Sequence, residues 1–388
     1  MRDIFITGLG AISAAGNDIV QTLATFKNGE RNPLKPSLFS TALPYLAFEV
    51  NKFSSPHTDE MRTIQLMRHA AGEAIEFAGL KGSLNDFRVG VCLGTTVACQ
   101  LNDIDFYRAY RQNGAVDKAR ITRYLRGNPA ENLAAHLELN GPVLTVANAC
   151  SSGTDAIGIG LEWLSADMCD IVICGGADEL SHVAYCGFGS LSVSSNDPCR
   201  PFDCNRKGLN LGEGAGILIL EKKEIAQRRG KKPFLSLLGY ASSADAYHLT
   251  APHPDGKGLG IAIHKVLKNC GLNPKEIAFI NAHGTATRDN DRTEGKVFKE
   301  IFGTKIKFIS TKGFTGHTLG AAGGLEAVFT CMGLREGWLP KNPGFEKEDP
   351  EIGLSPLAAL TQLNGCYAMS TSLAFGGNNS ALIIGIER

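Results

Sequence analysis

The sequence has no long hydrophobic run, no excess of one charge and no regular cysteine spacing. No apolar run approaches the ~20 residues that a membrane helix requires, so we expect no membrane span and no membrane partner. Lysine plus arginine and aspartate plus glutamate number 39 each, so no global field attracts nucleic acid, and we expect no such partner. The first residues lack the apolar core of a signal peptide, and the 11 scattered cysteines match no disulfide framework. These absences predict a cytoplasmic protein in a reducing environment.

Glycine and short apolar runs stand out among what is present. The 45 glycines fall at the ends of short apolar runs, and these runs alternate with helical patterns. Continuous apolar strands between helices are typical of sheets covered on both faces, which indicates the α/β class. The runs are residues 4–7, 89–93, 143–147, 171–174 and 217–220, followed by 234–238, 277–281, 307–310 and 381–384.

Two parts of the chain resemble each other. The apolar segment 214–221, near the end of the first part, matches 379–387 at the end of the second. A repeat this long indicates duplication of a half-domain and not a solenoid of short repeats. The basic link 222–232 marks a plausible boundary. We therefore predict one half in residues 1–232 and a second in 233–388.

Cys150 lies where a predicted buried strand, residues 143–147, meets an apolar helix that opens with small residues. A thiol at a helix N-terminus is expected to have a pKa below the usual ~8.5, because the helix end favours the thiolate. Gly153, Gly158 and Gly160 each cost about 1 kcal/mol of helix stability relative to alanine, so we expect close helix contacts there. Most cysteines are structural, and the other ten keep that interpretation. The strand-to-helix position favours Cys150 as a nucleophile.

Two histidines follow predicted strands in the same way. Residues 277–281 lead into His283, and residues 307–310 lead through a loop to His317. A lone histidine is usually a satisfied polar group. Because active sites of α/β proteins gather at the carboxyl ends of strands, we expect both imidazoles to meet Cys150 in one pocket.

Other sites use the same residue types. A Cys–His protease would need a cleft between unlike lobes and an Asn or Asp that orients the histidine, and the duplicated α/β plan argues against it. A zinc site from Cys150, His283 and His317 would lack the short ligand spacing of such sites. We therefore predict no metal.

Five motifs stand in order along the chain and resemble those of elongating β-ketoacyl-acyl-carrier-protein synthases. They are Thr-Gly-Leu-Gly at 7–10, Ala-Cys-Ser-Ser-Gly at 149–153, Asn-Ala-His-Gly-Thr at 281–285, the segment 310–317 with its lysine and histidine, and Phe-Gly-Gly-Asn at 375–378. The first is weak alone, whereas the last three together are highly specific. The resemblance implies a thiolase fold with two five-stranded sheets, layers in the order α-β-α-β-α, and usually a dimer.

The resemblance also implies a decarboxylative Claisen condensation. Cys150 would take an acyl chain as a thioester from the phosphopantetheine of an acyl carrier protein, and no other cofactor is implied. His283 and His317 would promote decarboxylation of malonyl-carrier protein and stabilise the resulting enolate. Neutral imidazoles suit this role because they donate to the oxygen on which charge builds.

Three further residues take supporting roles by the same resemblance. The backbone amides of Cys150 and Phe375 would form the oxyanion hole of the condensation step, and the Phe375 ring would act as a gate. Lys312 would stay charged, held by Glu326, and tune the histidines. Without the resemblance, Lys312 would be a surface lysine and Glu326 a helix carboxylate.

Four residues are implied to contact substrate. Thr285 and Thr287 align with threonines that hydrogen-bond pantetheine, and Thr250 is expected to line the same tunnel. Val97 falls near the residue that bounds the acyl pocket, where its small size would lengthen that pocket. Each threonine alone would be a loop residue.

The sequence departs from the family pattern near the gate. Where the family commonly has Phe-Gly-Phe-Gly-Gly-Thr-Asn, residues 373–379 are Leu-Ala-Phe-Gly-Gly-Asn-Asn. Ala374 has less backbone freedom than glycine, which should restrict the gate. Residues 100–122 carry charges in place of a mainly apolar cap. We therefore favour a specialised enzyme, such as an aryl-polyene or other type II polyketide ketosynthase, over a fatty-acid enzyme.

Carrier proteins are acidic, so a basic rim is expected around the tunnel. The candidates are Arg62, Arg68, Arg206 and Lys207. The dimer would form with a second copy or with a related chain-length-factor subunit.

Two other functions stay open at this point. A chain-length-factor-like partner would shape a ketosynthase pocket without catalysis, but such partners generally lack the nucleophile that Cys150 supplies. A coenzyme A thiolase would need a second cysteine in the terminal glycine-rich motif, where Phe375 stands.

Overall fold

The computed structural model describes residues 4–54, 60–96, 104–114, 119, 122, 127–232 and 234–386. The described strands are β1 (Ile4–Ser13), β2 (Ala47–Phe48), β3 (Val89–Gly94), β4 (Val143–Val146), β5 (Ile171–Asp178), β6 (Leu211–Gly212), β7 (Gly214–Lys222), β8 (Leu235–Ala244), β9 (Ile277–Asn281), β10 (Lys307–Ile309), β11 (Trp338–Leu339), β12 (Thr361–Gln362), β13 (Tyr367–Ala374) and β14 (Asn378–Ile386). The described α-helices are α1 (Ile19–Asn28), α2 (Arg62–Ala78), α3 (Ile104–Asn113), α4 (Pro129–His136), α5 (Ser152–Ser165), α6 (His182–Ser190), α7 (Lys223–Arg228), α8 (Lys257–Cys270), α9 (Arg288–Phe302), α10 (Lys312–Thr315) and α11 (Ala322–Glu336).

A ten-stranded sheet organises the molecule, in the order β10-β9-β13-β14-β8-β1-β7-β5-β3-β4. Its centre is a short antiparallel seam between β1 and β8, where Phe5 pairs with Ser236 and Ile6 with Leu235. Five strands lie on each side of this seam. The two expected five-stranded sheets are therefore present and continuous with each other.

The two halves of this sheet share one topology. Taken along the chain, the first half is β1, β3, β4, β5 and β7, and the second is β8, β9, β10, β13 and β14. In both, the fifth strand pairs antiparallel with the first and the fourth, while the second pairs parallel with the third and the fourth. The duplicated α/β plan predicted from the sequence is confirmed. The boundary at residues 232 and 233 stays a prediction.

Helices form three layers around the two halves of the sheet. α5 and α11 pack against each other and against strands of both halves, which makes them the central layer. α2 and α4 cover the outer face of the first half, and α8 covers that of the second with α9 packed on it. α11 is buried on every side from residue 322 to 334, as expected for a helix without a polar face. The layers follow the predicted order α-β-α-β-α.

Small residues allow the two central helices to approach closely. A Cβ on Gly153 would lie 2.7 Å from the Gly324 nitrogen and 2.8 Å from the Gly320 carbonyl oxygen. A Cβ on Gly158 would meet the Tyr240 ring at 2.4 Å. The expected helix–helix contact is therefore confirmed at Gly153, whereas Gly158 and Gly160 face strand side chains, Tyr240 on β8 and Val172 on β5. Within the described ranges, no helix combines the length and apolar character needed to cross a bilayer.

Candidate active site

One cavity of about 540 Å³ collects the residues that the sequence singled out. Cys150, His283 and His317 all line it, and they come from loops that follow β4, β9 and β10. The His283 and His317 loops lie together because β9 and β10 are parallel neighbours, so their carboxyl ends share one edge. The Cys150 loop comes from the other half of the sheet, and the packing of α5 against α11 brings the two halves together there. The predicted convergence of one sulfur and two imidazoles is therefore what the structure shows.

Cys150 sits in a tight turn between β4 and α5. The preceding residue, Ala149, has a φ of 50°, which few residues other than glycine adopt. The turn places the buried Cys150 Sγ 3.1 Å from His317 Nε2. The sulfur and the nitrogen are thus within hydrogen-bonding distance, as acyl transfer through a general base requires.

The thiol is not the preformed thiolate that we expected. Burial raises the pKa of Cys150 to about 11, against the opposing effects of the Lys312 charge and the Phe375 backbone amide. The N-cap of α5 is Ser151, so Cys150 precedes the first helical turn, where the favourable field of a helix end is concentrated. The proton must therefore leave the sulfur during the reaction, and His317 is the group positioned to take it.

Both histidines are neutral at pH 7. Burial lowers the pKa of His283 and of His317 well below the usual value, and the Lys312 charge lowers both further. Their ring centroids are 5.2 Å apart, with the rings nearly perpendicular at 87°. A neutral imidazole carries a donor and an acceptor nitrogen, so each ring can either give or take a hydrogen bond in the cavity.

Lys312 sets the tautomer of His283. Its Nζ lies 3.0 Å from His283 Nδ1 and also forms a buried ion pair with Glu326. An ammonium group only donates, so Nδ1 accepts and the ring proton is on Nε2. Burial raises the pKa of Glu326 and the Lys312 ammonium opposes that rise. The expected Lys312–Glu326 pair is present, and its contact with His283 is direct.

The His283 loop depends on a carboxylate that the sequence reasoning missed. Glu294 in α9 accepts the backbone N–H groups of His283 at 2.8 Å and Gly284 at 2.6 Å. Burial raises the pKa of Glu294 to about 8. Glu294 lies one helical turn before Val297 and Phe298, which are buried. The sequence signal that could have revealed this role is an acidic residue on the apolar face of α9.

Phe375 contributes both its backbone and its ring. Its backbone N–H bonds to Cys150, and its ring stacks on Phe188 with centroids 5.3 Å apart and an interplanar angle of 14°. The loop is held from the other side, since the Gly376 N–H donates to the Leu249 carbonyl at 2.8 Å. Phe188, in α6, also lines the cavity, and no sequence pattern pointed to it.

The three threonines line the same cavity. Thr250, Thr285 and Thr287 are all in its wall, and the Thr285 and Thr287 hydroxyls are 2.9 Å apart. They therefore lie in the wall of the catalytic cavity, and the implied hydrogen bonds to pantetheine stay a prediction. Val97 lies outside the described residues.

The expected basic rim needs correction at Arg206. Its side chain is 2% exposed, pairs with Asp349, and lies 3.8 Å from Asp291. Asp349 is 143 residues away in sequence, so a local reading of a basic loop could not reveal this burial. Lys207, by contrast, has a side chain that is 67% exposed and pairs with Asp197 at 2.7 Å. Exposed Arg288 lies beside it in the cavity lining and was missed.

Arg62 and Arg68 do not lie at this cavity, and both form ion pairs elsewhere. Arg62 bonds to buried Glu213 through two nitrogens, at 2.5 and 2.7 Å, and lines a second cavity of about 470 Å³. Arg68 pairs with Glu60 at 2.9 Å. Neither lines the cavity of Cys150. Their partners come from other segments of the chain, so spacing alone did not show the pairing.

The geometry defines a thiol-dependent acyltransferase. The Cys150 sulfur lies within hydrogen-bonding distance of a neutral imidazole, a second imidazole has its donor nitrogen fixed, and a backbone amide points at the sulfur. Among the described residues, no group of His, Cys, Asp and Glu side chains has the arrangement of a metal site.

Comparison with known proteins names the family. Residues 47–226 match the Beta-ketoacyl synthase, N-terminal domain, and residues 235–346 match the Beta-ketoacyl synthase, C-terminal domain. The 3-oxoacyl-[acyl-carrier-protein] synthase 2 of Synechocystis sp. is 36% identical, over 98% of this chain and 97% of that protein. The chain therefore belongs to the β-ketoacyl synthase family.

Two solved structures extend the likeness. The ishigamide ketosynthase/chain length factor has a TM-score of 0.94 at 30% identity, with 100% of each chain covered. The ketosynthase ApeO of Xenorhabdus doucetiae, solved with its chain length factor ApeC, has a TM-score of 0.84 at 30% identity, with 100% of this chain and 98% of that chain covered. The fold of this chain is accordingly the thiolase-type fold of ketosynthases.

Proposed function

We propose that this chain is an active ketosynthase that condenses an acyl chain, held on Cys150, with malonyl-acyl-carrier protein. The product is a β-ketoacyl-carrier protein, made during fatty-acid or type II polyketide chain elongation. The observation that supports this best is the 3.1 Å contact of Cys150 Sγ with His317 Nε2 beside a second neutral imidazole. A chain-length-factor role does not need this arrangement, and a thiolase would need a cysteine where Phe375 stands.

The first step loads the acyl chain. The Cys150 sulfur attacks the carbonyl carbon of the acyl thioester on phosphopantetheine, and the thiol proton passes to His317 Nε2. The new sulfur–carbon bond forms, the bond to the pantetheine sulfur breaks, and that sulfur takes the proton from His317. Because the pKa of Cys150 is about 11, loading depends on this neutral base.

The second step generates the nucleophile from the malonyl group. The bond to the carboxylate breaks, carbon dioxide leaves, and the electron pair passes into an enolate whose oxygen was the thioester carbonyl. His283 Nε2 carries a proton because Lys312 occupies Nδ1, so it donates to this oxygen. After loading, the sulfur has no proton to donate to His317 Nε2, and His317 Nδ1 has no hydrogen-bond partner that fixes its proton. The neutral ring can then carry its single proton on Nε2, which makes this nitrogen the second donor.

The third step forms the carbon–carbon bond. The enolate carbon attacks the Cys150 thioester, and the backbone N–H groups of Cys150 and Phe375 stabilise the tetrahedral oxyanion. Collapse breaks the bond to sulfur and releases the Cys150 thiolate, which takes one proton from solvent water because decarboxylation and condensation together consume one proton. No cofactor beyond the phosphopantetheine of the carrier protein takes part in this scheme.

We infer a donor from specialised metabolism. Ala374 and Asn378 depart from the fatty-acid pattern at the gate, and α3 carries Arg108 and Arg111 in place of an apolar cap. The likeness to two ketosynthases that are named together with a chain length factor supports a pathway other than housekeeping fatty-acid synthesis. Saturated, polyene and aryl donors on carrier protein should load at different rates, with polyene or aryl donors fastest, and fastest loading of saturated donors would contradict this.

We infer that a second subunit pairs at the edge of the sheet. β4 is the edge strand of the ten-stranded sheet on the side of the first half. Its residues Val143 and Leu144 are 37% and 41% exposed. An exposed apolar edge strand is a template for pairing with another chain. A second copy or a chain-length-factor subunit would cover it, as the ApeO–ApeC complex suggests. Val143→Lys should lower the mass measured by light scattering, and an unchanged dimer would contradict this interface.

We also propose a cytoplasmic location. The ten described cysteines are free thiols, the form that a reducing compartment maintains. A tagged protein recovered from a secreted or periplasmic fraction would contradict this.

The central test is intact-mass analysis of the acyl-enzyme. Wild-type protein incubated with acyl-carrier protein should gain the mass of one acyl group. Cys150→Ala should gain none, while Cys199→Ala, which removes another buried cysteine, should load normally. Acylation of Cys150→Ala would overturn the assignment of the nucleophile.

A further inference from the structure

The two backbone N–H groups that form the proposed oxyanion hole belong to different halves of the molecule. Cys150 follows β4 in the first half, whereas Phe375 follows β13 in the second. An oxyanion hole works only when its donors are held at a fixed distance from the reacting oxygen. Some contact must therefore hold the two loops in register with each other.

A bridge of side chains makes this contact. Asn378 Nδ2 donates to Asn148 Oδ1 at 2.6 Å, and Asn148 Nδ2 donates to Asp155 Oδ2 at 2.6 Å. Asn148 lies two residues before Cys150, and Asn378 lies three after Phe375. Asp155, Asn148 and Asn378, which we call the Asp155 bridge, thus link both oxyanion loops to the start of the central helix α5.

Asp155 decides which way the middle amide faces. A carboxylate only accepts hydrogen bonds, so the Asn148 nitrogen must face Asp155 and its oxygen must face Asn378. Asp155 is 5% exposed and is itself held by the hydroxyls of Ser151 at 2.8 Å, of Tyr240 at 2.9 Å, and of Ser380. These three hydroxyls and the Asn148 amide are all neutral donors. The carboxylate is therefore a fixed anchor for the bridge.

Asn378 is one of the departures from the family pattern, which commonly has threonine there. A threonine hydroxyl lies on Cβ, one atom nearer the main chain than the amide nitrogen of asparagine. The longer side chain is what spans the gap to Asn148. Asn148 and Asn378 therefore form a matched pair in this chain.

Building on the proposed function, we propose that Asp155 is a positioning residue that acts through Asn148 and Asn378 to hold the Phe375 amide at the Cys150 sulfur. It touches neither substrate nor reacting atoms. Its effect falls on steps that use the oxyanion hole, which are acyl loading and condensation. Malonyl decarboxylation places its charge on an oxygen held by the two histidines, so that step should be spared.

The test separates these steps in Asn378→Ala, which breaks the bridge without removing a buried charge. Loading of an acyl group from acyl-carrier protein should slow about 10- to 100-fold, since misplacing a catalytic group by about 1 Å has costs of this order. Carbon dioxide release from malonyl-carrier protein without acyl donor should keep its wild-type rate. The melting temperature should change by no more than a few degrees.

Asp155→Asn and a double variant complete the design. Asp155→Asn should slow loading as well. Adding Asn378→Ala to Asp155→Asn should cause little further loss of loading rate, because both substitutions break the same bridge. Tyr240→Phe is the matched control, since it removes a donor from Oδ1 of the same carboxylate and leaves the bridge intact, so loading should be unchanged.

Three results would overturn the proposal: normal loading in Asn378→Ala, equal loss of loading and decarboxylation, or additive losses in the double variant. These are distinct from failure of the proposed function. If wild-type protein itself gains no acyl group, the ketosynthase assignment fails. If wild type loads and the bridge variants load equally well, only the bridge is wrong.

Discussion

The third strand of each half leads to a different reactive group at an equivalent place. β4 in the first half is followed by Cys150 and the central helix α5, and β10 in the second is followed by His317 and the central helix α11. Their side chains meet at 3.1 Å. The duplicated topology thus places the loops after β4 and β10 at equivalent positions. The residues in these loops differ, since one is the nucleophile Cys150 and the other is the base His317.

The second strands have diverged further. β9 leads to His283, which lines the cavity, whereas β3 leads to Thr95 and Thr96, which do not. The two threonine hydroxyls donate to Asp178 at 2.6 and 2.8 Å, and Asp178 also accepts the Gly320 N–H at 2.6 Å. Gly320 lies just after His317. The first half therefore uses this strand end to support a catalytic loop of the second half, and the chemistry is unequally divided.

The largest effect is expected from removing His283, the histidine that follows β9 in the second half. His283→Ala should lower malonyl decarboxylation by about 10²–10⁴-fold, because a positioned donor is lost, while acyl loading on Cys150 continues. His317→Ala should impair both steps, since His317 contacts the sulfur. Separate measurement of carbon dioxide release and acyl-enzyme mass checks this, and equal loss of both steps in His283→Ala would contradict the division of labour.

The contact between the equivalent helices gives the next largest effect. Gly153→Ala would push a Cβ to within 2.8 Å of the backbone of α11's preceding turn, so we expect a loss of about 1–3 kcal/mol in the free energy of unfolding. At Gly72, an exposed position of α2, an added Cβ meets no atom within 4 Å, so Gly72→Ala should gain about 0.5–1 kcal/mol. Denaturant unfolding measures both, and equal behaviour of the two variants would show that the halves are not packed this tightly.

A pH effect is expected from Glu294, the carboxylate that supports the His283 loop in the second half. Its pKa is about 8 in the folded protein and near 4.5 in the unfolded chain, so the folded state holds an extra proton between these values. Its contribution to stability is therefore present below pH 4.5 and falls as pH rises toward 8, by up to about 1.4 kcal/mol per pH unit.

Glu294→Gln should remove this loss of stability with rising pH. Unfolding free energies at pH 5 and pH 8 should differ less in Glu294→Gln than in wild type. Glu300→Gln, an exposed position on the same helix, should leave the difference unchanged. An identical pH dependence in Glu294→Gln and wild type would mean that this carboxylate is ionised in the folded protein.

The smallest effect is expected at the cavity mouth, where each half supplies one exposed cation. Lys207→Glu and Arg288→Glu should each weaken binding of an acidic carrier protein several-fold, and more so at low salt, because exposed charges are screened. Titration at two ionic strengths measures this. An effect seen in only one of the two variants would show that the carrier protein docks on one half only.

Sequence analysis predicted those site residues whose function follows from their position just after a strand. Cys150, His283 and His317 each follow a strand, and α/β proteins place their active sites in the loops at the carboxyl ends of strands. The Lys312–Glu326 pair came from the family resemblance. Glu294 and Phe188 escaped detection because their roles depend on contacts with segments that no local pattern reveals.

By itself, then, the sequence determined the strand–helix alternation, the duplication and the reactive residues at strand ends, since these depend on local periodicity and on topology. Only the tertiary structure decided burial. Burial raises the pKa of Cys150 where a helix end alone would lower it, and it turns Arg206 from a surface charge into an internal ion pair with Asp349. Desolvation depends on everything packed around a group, and those neighbours come from distant parts of the chain.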